Sequence, residues 1–354
     1  MDETVPLAPF ARPVMLDVNR SRTGVGRGRD AGEVGEEAEM RAVGCRDFGG
    51  PEVLQVVELP IPEPGEGEVR VRVRAAGVNP TDLILRAGQM PLRGRTVPGP
   101  PHIPGMDIAG VVDDLGSGLD ERLIVGDEVV ALVDPLTRDG GGYAEYVVVP
   151  AASVALAPQG MDLTAAATLV MNALTARAGL DALALEPGAT VVVTGAPGAV
   201  GGYAVQLAKA DGLHVIADAG PQDHELVASL GADVVVERGD GFADRVLAEV
   251  PSGAAGVVDA ALLEAAVVPV VEDGGRIASF RGWRGPAERD VEVSAVFVNT
   301  RAADTAAIQR LSDQAGAGTL ALRVAEVVAP EGAADAHAKV AAGGLRGRLV
   351  IAFD

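Results

Sequence analysis

The chain has 354 residues, and 29 Lys plus Arg against 50 Asp plus Glu leave a formal net charge of −21. That balance argues against nucleic acid, whose phosphates are held by clustered cations, and 48% hydrophobic residues exclude disorder along the whole chain. A single cysteine, Cys45, excludes a disulfide scaffold or a zinc ribbon. At roughly 150 residues per domain the length implies two or three domains.

Residues 1–39 read as a disordered N-terminal extension, because Arg20 to Glu39 mixes Gly, Arg and Glu without hydrophobic periodicity. Asp2 and Glu3 precede a short apolar run broken by Pro6 and Pro9, which does not fit a secretory signal. No uninterrupted apolar stretch of about 18 residues occurs, so no membrane span is expected. These features predict a soluble, cytoplasmic protein.

From Met40 the pattern turns to strands. Glu68 to Arg74 (EVRVRVR) alternates Val with charge, the period of a half-buried strand. Gly110 to Asp113 and Glu128 to Val133 follow between Gly and Pro clusters, so a compact β-rich module is predicted up to about Pro158. A second regime begins near Met161. Strands at Thr190–Thr194, Leu213–Ala217, Asp233–Val236, Gly256–Asp259 and Arg276–Ser279 alternate with helices through Ala210, over His224–Leu230 and over Phe242–Val250. Repeated β-α-β units imply a doubly wound parallel sheet, so the chain is α/β. Val291 to Val298 reads as a further strand, and Arg348 to Phe353 is apolar enough to rejoin a sheet.

The sharpest motif lies in the second regime. Gly195, Ala196, Gly198, Ala199, Val200 and Gly201 (within GAPGAVG) follow a strand and open a helix, the context that dinucleotide binding requires. Glycines let the backbone approach a pyrophosphate, and the helix start offers unpaired N–H groups and a partial positive charge. Asp218 ends the second strand, where a carboxylate accepts hydrogen bonds from the ribose hydroxyls of NAD and repels the 2′-phosphate of NADP.

Several short motifs recur in a fixed order: Gly77 to Asp82 (GVNPTD), Pro104 to Gly110 (PGMDIAG), Gly126 to Val129 (GDEV) and Gly142 to Tyr146 (GYAEY). Leu174-Thr175-Ala176, the glycine loop, Leu230 to Asp233 (LGAD) and Gly347 to Val350 (GRLV) complete the series. In this order and spacing the chain resembles the medium-chain dehydrogenase/reductase superfamily, in its zinc-independent quinone oxidoreductase branch. The resemblance implies a GroES-like catalytic domain over 40–160, completed by 300–354, with a Rossmann domain over 161–299. It also implies a homodimer paired through strand 291–298.

Zinc-dependent relatives hold their metal with a Cys where Asn79 stands and a His where Met106 stands, so no metal is expected. Without a Lewis acid, the favoured chemistry is hydride transfer from NAD(P)H to a small electrophile, a quinone or an α,β-unsaturated carbonyl. An enoyl reductase acting on a carrier-bound intermediate and a non-catalytic nucleotide-binding member are the alternatives. The resemblance puts Asn79 and Thr175 beside the nicotinamide, with Asp82 orienting its neighbours. Tyr143 carries a phenol able to stabilise an oxyanion. Relatives that use NADPH place Ser and Lys after the second strand. Ala217 to Asp223 supplies neither, with Asp223 about where the Lys is expected, which favours NADH.

Overall fold

The computed structural model describes residues 38–92, 94–285 and 289–353; the extension expected over 1–39 lies outside them except for Ala38 and Glu39. Glu39–Gly44 (β1) pairs antiparallel with Gln55–Pro60 (β2) as a two-stranded ribbon. Glu68–Gly77 (β3) follows, and its alternation is realised directly: Val69, Val71 and Val73 are buried, while Arg70, Arg72 and Arg74 leave that core. Pro80–Arg86 (α1) then starts on Asn79, with Pro80 in the first turn, where its missing N–H costs nothing.

Asp107–Leu115 (β4), Glu128–Leu132 (β5), Tyr146–Pro150 (β6) and Val154–Leu156 (β7) complete the β-rich module. After Leu163–Ala166 (α2), the helix Val170–Leu183 (α3) runs deep inside the protein and buries most of its circumference. It leads to Thr190–Thr194 (β8), Ala199–Ala210 (α4), His214–Ala219 (β9), His224–Ser229 (α5), Val234–Glu237 (β10), Phe242–Glu249 (α6) and Ala254–Asp259 (β11). Val271–Phe280 (β12) and Glu292–Val296 (β13) end this run. All six strands pair in parallel in the order β10-β9-β8-β11-β12-β13. The order reverses between β8 and β11, and in such sheets ligands bind beyond the strand ends at this reversal.

The chain then returns to the first sheet. Thr305–Gly316 (α7), Val324–Val328 (β14), Ala333–Ala342 (α8) and Arg348–Ala352 (β15) follow. β15 pairs antiparallel with β3 and parallel with β14, giving the order β14-β15-β3-β4-β5-β7 with β6 also on β3. The C-terminal segment therefore belongs to the sheet that the N-terminal module begins. β13 is shorter than the strand expected over 291–298, because the chain turns into a 3₁₀ helix at Val298. Among the described residues it forms one edge of the parallel sheet.

Ile277, fully buried in β12, packs against the layer that includes Val192, Ile216 and Val257. Ile277→Ala is expected to cost about 2–5 kcal/mol, measured as a lower urea midpoint. An unchanged midpoint would contradict this packing.

Candidate functional site

The glycine loop lies at the sheet's reversal point, just beyond β8. Gly195 has φ +65°, in the left-handed region that glycine favours. Gly201 is required for a different reason: a Cβ there would lie 2.2 Å from the Gly195 carbonyl oxygen. At Gly198 a Cβ would meet only that oxygen, at 3.0 Å. α4 begins without a side-chain cap, and Gly198, Ala199 and Val200 keep exposed surface. From the side of the C-terminal segment, Arg323 donates to the Pro197 carbonyl at 3.0 Å and to the Gly198 carbonyl at 2.6 Å. A small cavity beside Ala199 and Tyr203 is also lined by Arg323 and Arg348, and the Nε of Arg348 is buried with no hydrogen-bond partner. An uncapped helix start, a close backbone approach and two nearby guanidiniums fit a dinucleotide diphosphate.

Asp218 comes to this loop from β9. Its carboxylate accepts the Ala196 N–H at 3.2 Å, and burial pushes its pKa upward. Asp223 is held in both carboxylate oxygens by Arg346. Thr175, the expected nicotinamide neighbour, lies on α3 and turns its hydroxyl back onto the Met171 carbonyl of its own helix.

The three expected catalytic side chains do come together, but in the interior. Asn79 and Tyr143 are 0% exposed and Asp82 is 1% exposed. Asp82 accepts the Asn79 N–H at 2.7 Å, the Tyr143 hydroxyl at 2.9 Å and the Gly105 N–H at 3.2 Å. Burial raises its pKa to about 6, against those three donors. The Tyr143 phenol is pushed well above its ordinary range by burial and by the Asp82 carboxylate. The structure thus brings Asn79, Asp82 and Tyr143 into one cluster that is sealed from solvent, with Asp82 orienting the other two.

Two hydrogen-bond chains fix this cluster, and each has its direction set by an arginine, which can only donate. In the first, Arg348 donates to Asn172 Oδ1, and Asn172 Nδ2 donates to Asn79 Oδ1 at 2.9 Å. That leaves Asn79 Nδ2 with one long bond, 3.4 Å to the Gly77 carbonyl. In the second, Arg86 Nη1 lies 3.5 Å from His337 Nδ1, His337 Nε2 lies 3.2 Å from the Tyr143 hydroxyl, and that hydroxyl donates to Asp82. With Arg86 donating to Nδ1, His337 carries its proton on Nε2. Burial, with help from Arg86, lowers its pKa to about 3. Asn172, Arg86 and His337 belong to no motif along the chain, and the motif that contains Arg348 assigns it no role, so no local signal points to them in these roles.

Two family patterns match the chain: "Alcohol dehydrogenase GroES-like domain" over residues 65–159 and "Zinc-binding dehydrogenase" over residues 212–351. A quinone oxidoreductase from Sus scrofa is 30% identical over 256 residues, covering 70% of this chain and 75% of its own. The chloroplastic NADPH-dependent alkenal/one oxidoreductase of Arabidopsis thaliana is 31% identical over 251 residues, covering 69% and 63%. A solved structure described as an NAD-dependent alcohol dehydrogenase superposes with TM-score 0.76 at 32% identity, covering 89% of this chain and 100% of its own. The chain belongs to the medium-chain dehydrogenase/reductase superfamily, in its quinone-oxidoreductase-like branch. It spans less than two-thirds, 63%, of the alkenal/one oxidoreductase that it matches.

For a superfamily member, the positions that would hold a catalytic zinc are unsuited to one. The Asn79 amide oxygen is taken by Asn172, Met106 is 3% exposed in the apolar core, and Asp107 accepts the Val170 and Met171 N–H groups at the start of α3. Among the described residues, no three His, Cys, Asp or Glu side chains gather as a metal-binding group. Three N, O or S ligands are the minimum for a catalytic site, so the residues do not fit zinc.

Gly201→Ala is expected to lower stability by about 1–3 kcal/mol through overpacking and to weaken nucleotide binding, read by thermal unfolding and fluorescence titration. Unchanged behaviour in both would contradict the close approach. His337 gives a pH signature. Its pKa falls from 6.5 in the unfolded chain to about 3 in the fold, so the unfolded chain takes up the proton first. Its contribution is complete above 6.5 and declines as the pH falls towards 3. Asp82, raised from 3.8 to about 6, works in the opposite sense over its own window. His337→Gln is therefore expected to flatten the acid loss of stability in urea unfolding, and an equally steep loss in variant and parent would contradict the assignment.

Proposed function

We propose that the chain is a zinc-independent, NAD(P)H-dependent oxidoreductase that reduces a quinone or an α,β-unsaturated carbonyl. The observation that carries this reading is the uncapped start of α4, open at Gly198 to Val200 and backed by Arg323. The names of the relatives, a quinone oxidoreductase and an NADPH-dependent alkenal/one oxidoreductase, support it.

When bound, the nicotinamide supplies a hydride. The chain's own residues do the rest. The amides at the start of α4 bind the diphosphate, assisted by the local helix field. Asp218, taken by itself, favours NADH, since a carboxylate accepts the ribose hydroxyls and repels a 2′-phosphate. Asn79, held by Asn172 and by Asp82, ties the start of α1 to α3. An acceptor already polarised by conjugation needs no Lewis acid; it needs orientation and a dry site, and solvent supplies the proton, to the oxygen of a quinol or the α-carbon of an enolate. A cytoplasmic homodimer, paired along the edge strand β13, completes the reading.

NAD(P)H absorbance followed with quinones, enones and unactivated ketones tests it. Oxidation of the coenzyme is expected with the first two classes, insensitive to chelators. Preferential turnover of simple alcohols or ketones, abolished by chelators, would overturn it.

A further inference from the structure

The residues directly after β9, Gly220 to Asp223, carry no cation. The structure brings one from the next strand. Arg238 follows β10, its backbone N–H donating to the Ala219 carbonyl at 3.0 Å, and β10 runs parallel to β9 with Val236 beside Asp218. Its guanidinium lies over the turn after β9: a Cβ built on Gly220 would come within 3.3 Å of Arg238 Nε. The residue is exposed, and among the described residues its side chain makes no hydrogen bond or ion pair. Its charge nonetheless acts on Asp218. The Asp218 carboxylate, for its part, is turned towards the Ala196 N–H and only 4% exposed. An unengaged guanidinium thus stands at the carboxyl ends of two adjacent parallel strands, where a dinucleotide's adenosine ribose rests, and an arginine nearby is the group that accommodates a 2′-phosphate.

We propose that Arg238 is a specificity-determining residue for the coenzyme: its guanidinium receives the 2′-phosphate of NADPH, so the chain binds NADPH as well as NADH in spite of the carboxylate at 218. The inference rests on the coenzyme reading above and extends it to a residue that the motif does not contain. Asp223 supplies no rival cation and is itself closed by Arg346. Gly220 leaves room that any side chain would take from the guanidinium.

Calorimetric titration tests this without turnover. NADPH, NADH, adenosine 2′,5′-bisphosphate and 5′-AMP are compared on the parent, Arg238→Met and Arg238→Lys. Because Arg238 is exposed, both variants are expected to keep the parental melting temperature. Arg238→Met is expected to weaken NADPH and the bisphosphate about tenfold or more, the scale of a lost hydrogen bond to a charged group, and to leave NADH and 5′-AMP within about twofold. Arg238→Lys is expected to retain part of the bisphosphate affinity. Equal losses for both nucleotide classes would mean that Arg238 only balances Asp218, and no loss for either would mean that it is idle; both results overturn the proposal and leave the coenzyme reading standing. Failure of the parent to bind any of the four ligands would overturn both.

Discussion

The approach of α4 to the end of β8 is the contact on which the site turns. Gly201 sits against the Gly195 carbonyl with no room for a methyl group, and Gly195 supplies the left-handed turn that makes the approach possible. This brings the first amides of α4 to the crevice where the strand order reverses. The helix then buries Ala204, Leu207 and Ala208 on the sheet, so its axis cannot swing away from the loop. Arg323, arriving from the C-terminal segment, fixes the loop carbonyls on the opposite side. A diphosphate site of this kind rests on backbone packing, with few side chains needed.

The second theme is how buried polar groups are satisfied. Asp82, Asn79, Asn172, Tyr143 and His337 are all sealed from solvent, and leaving any one unpaired would cost about 1–3 kcal/mol. Each hydrogen-bond chain starts at an arginine, which only donates, and the chain through Tyr143 ends at a carboxylate, which accepts. This ordering fixes the amide orientation of Asn79 and the tautomer of His337. It also ties α1, α3, α8 and β15 to one another, so the C-terminal segment is joined to the N-terminal module by side chains as well as by sheet pairing.

Much of the fold was legible in the sequence because its signals are local. The alternation of Glu68 to Arg74 specifies the two faces of β3, and the glycine loop between a strand and an apolar-faced helix specifies the nucleotide crossover. The interior network was not legible, since its contacts link positions 93, 176, 194 and 251 residues apart. Asn79, Asp82 and Tyr143 were found as chemical groups, yet their burial was not, because exposure is decided by what packs over them from α3 and α8. Arg238 lies outside the local motif for a related reason. A motif read along one β-α turn does not contain the neighbouring strand.

The central claim is that a nicotinamide dinucleotide lies with its diphosphate on the start of α4. A crystal structure of the protein with NADH or NADPH tests it most directly. The account requires diphosphate oxygens within hydrogen-bond reach of the amides that open α4, with the adenosine ribose beyond the end of β9 beside Asp218. A nucleotide seated elsewhere on the protein, or a diphosphate that leaves those amides untouched, would contradict it.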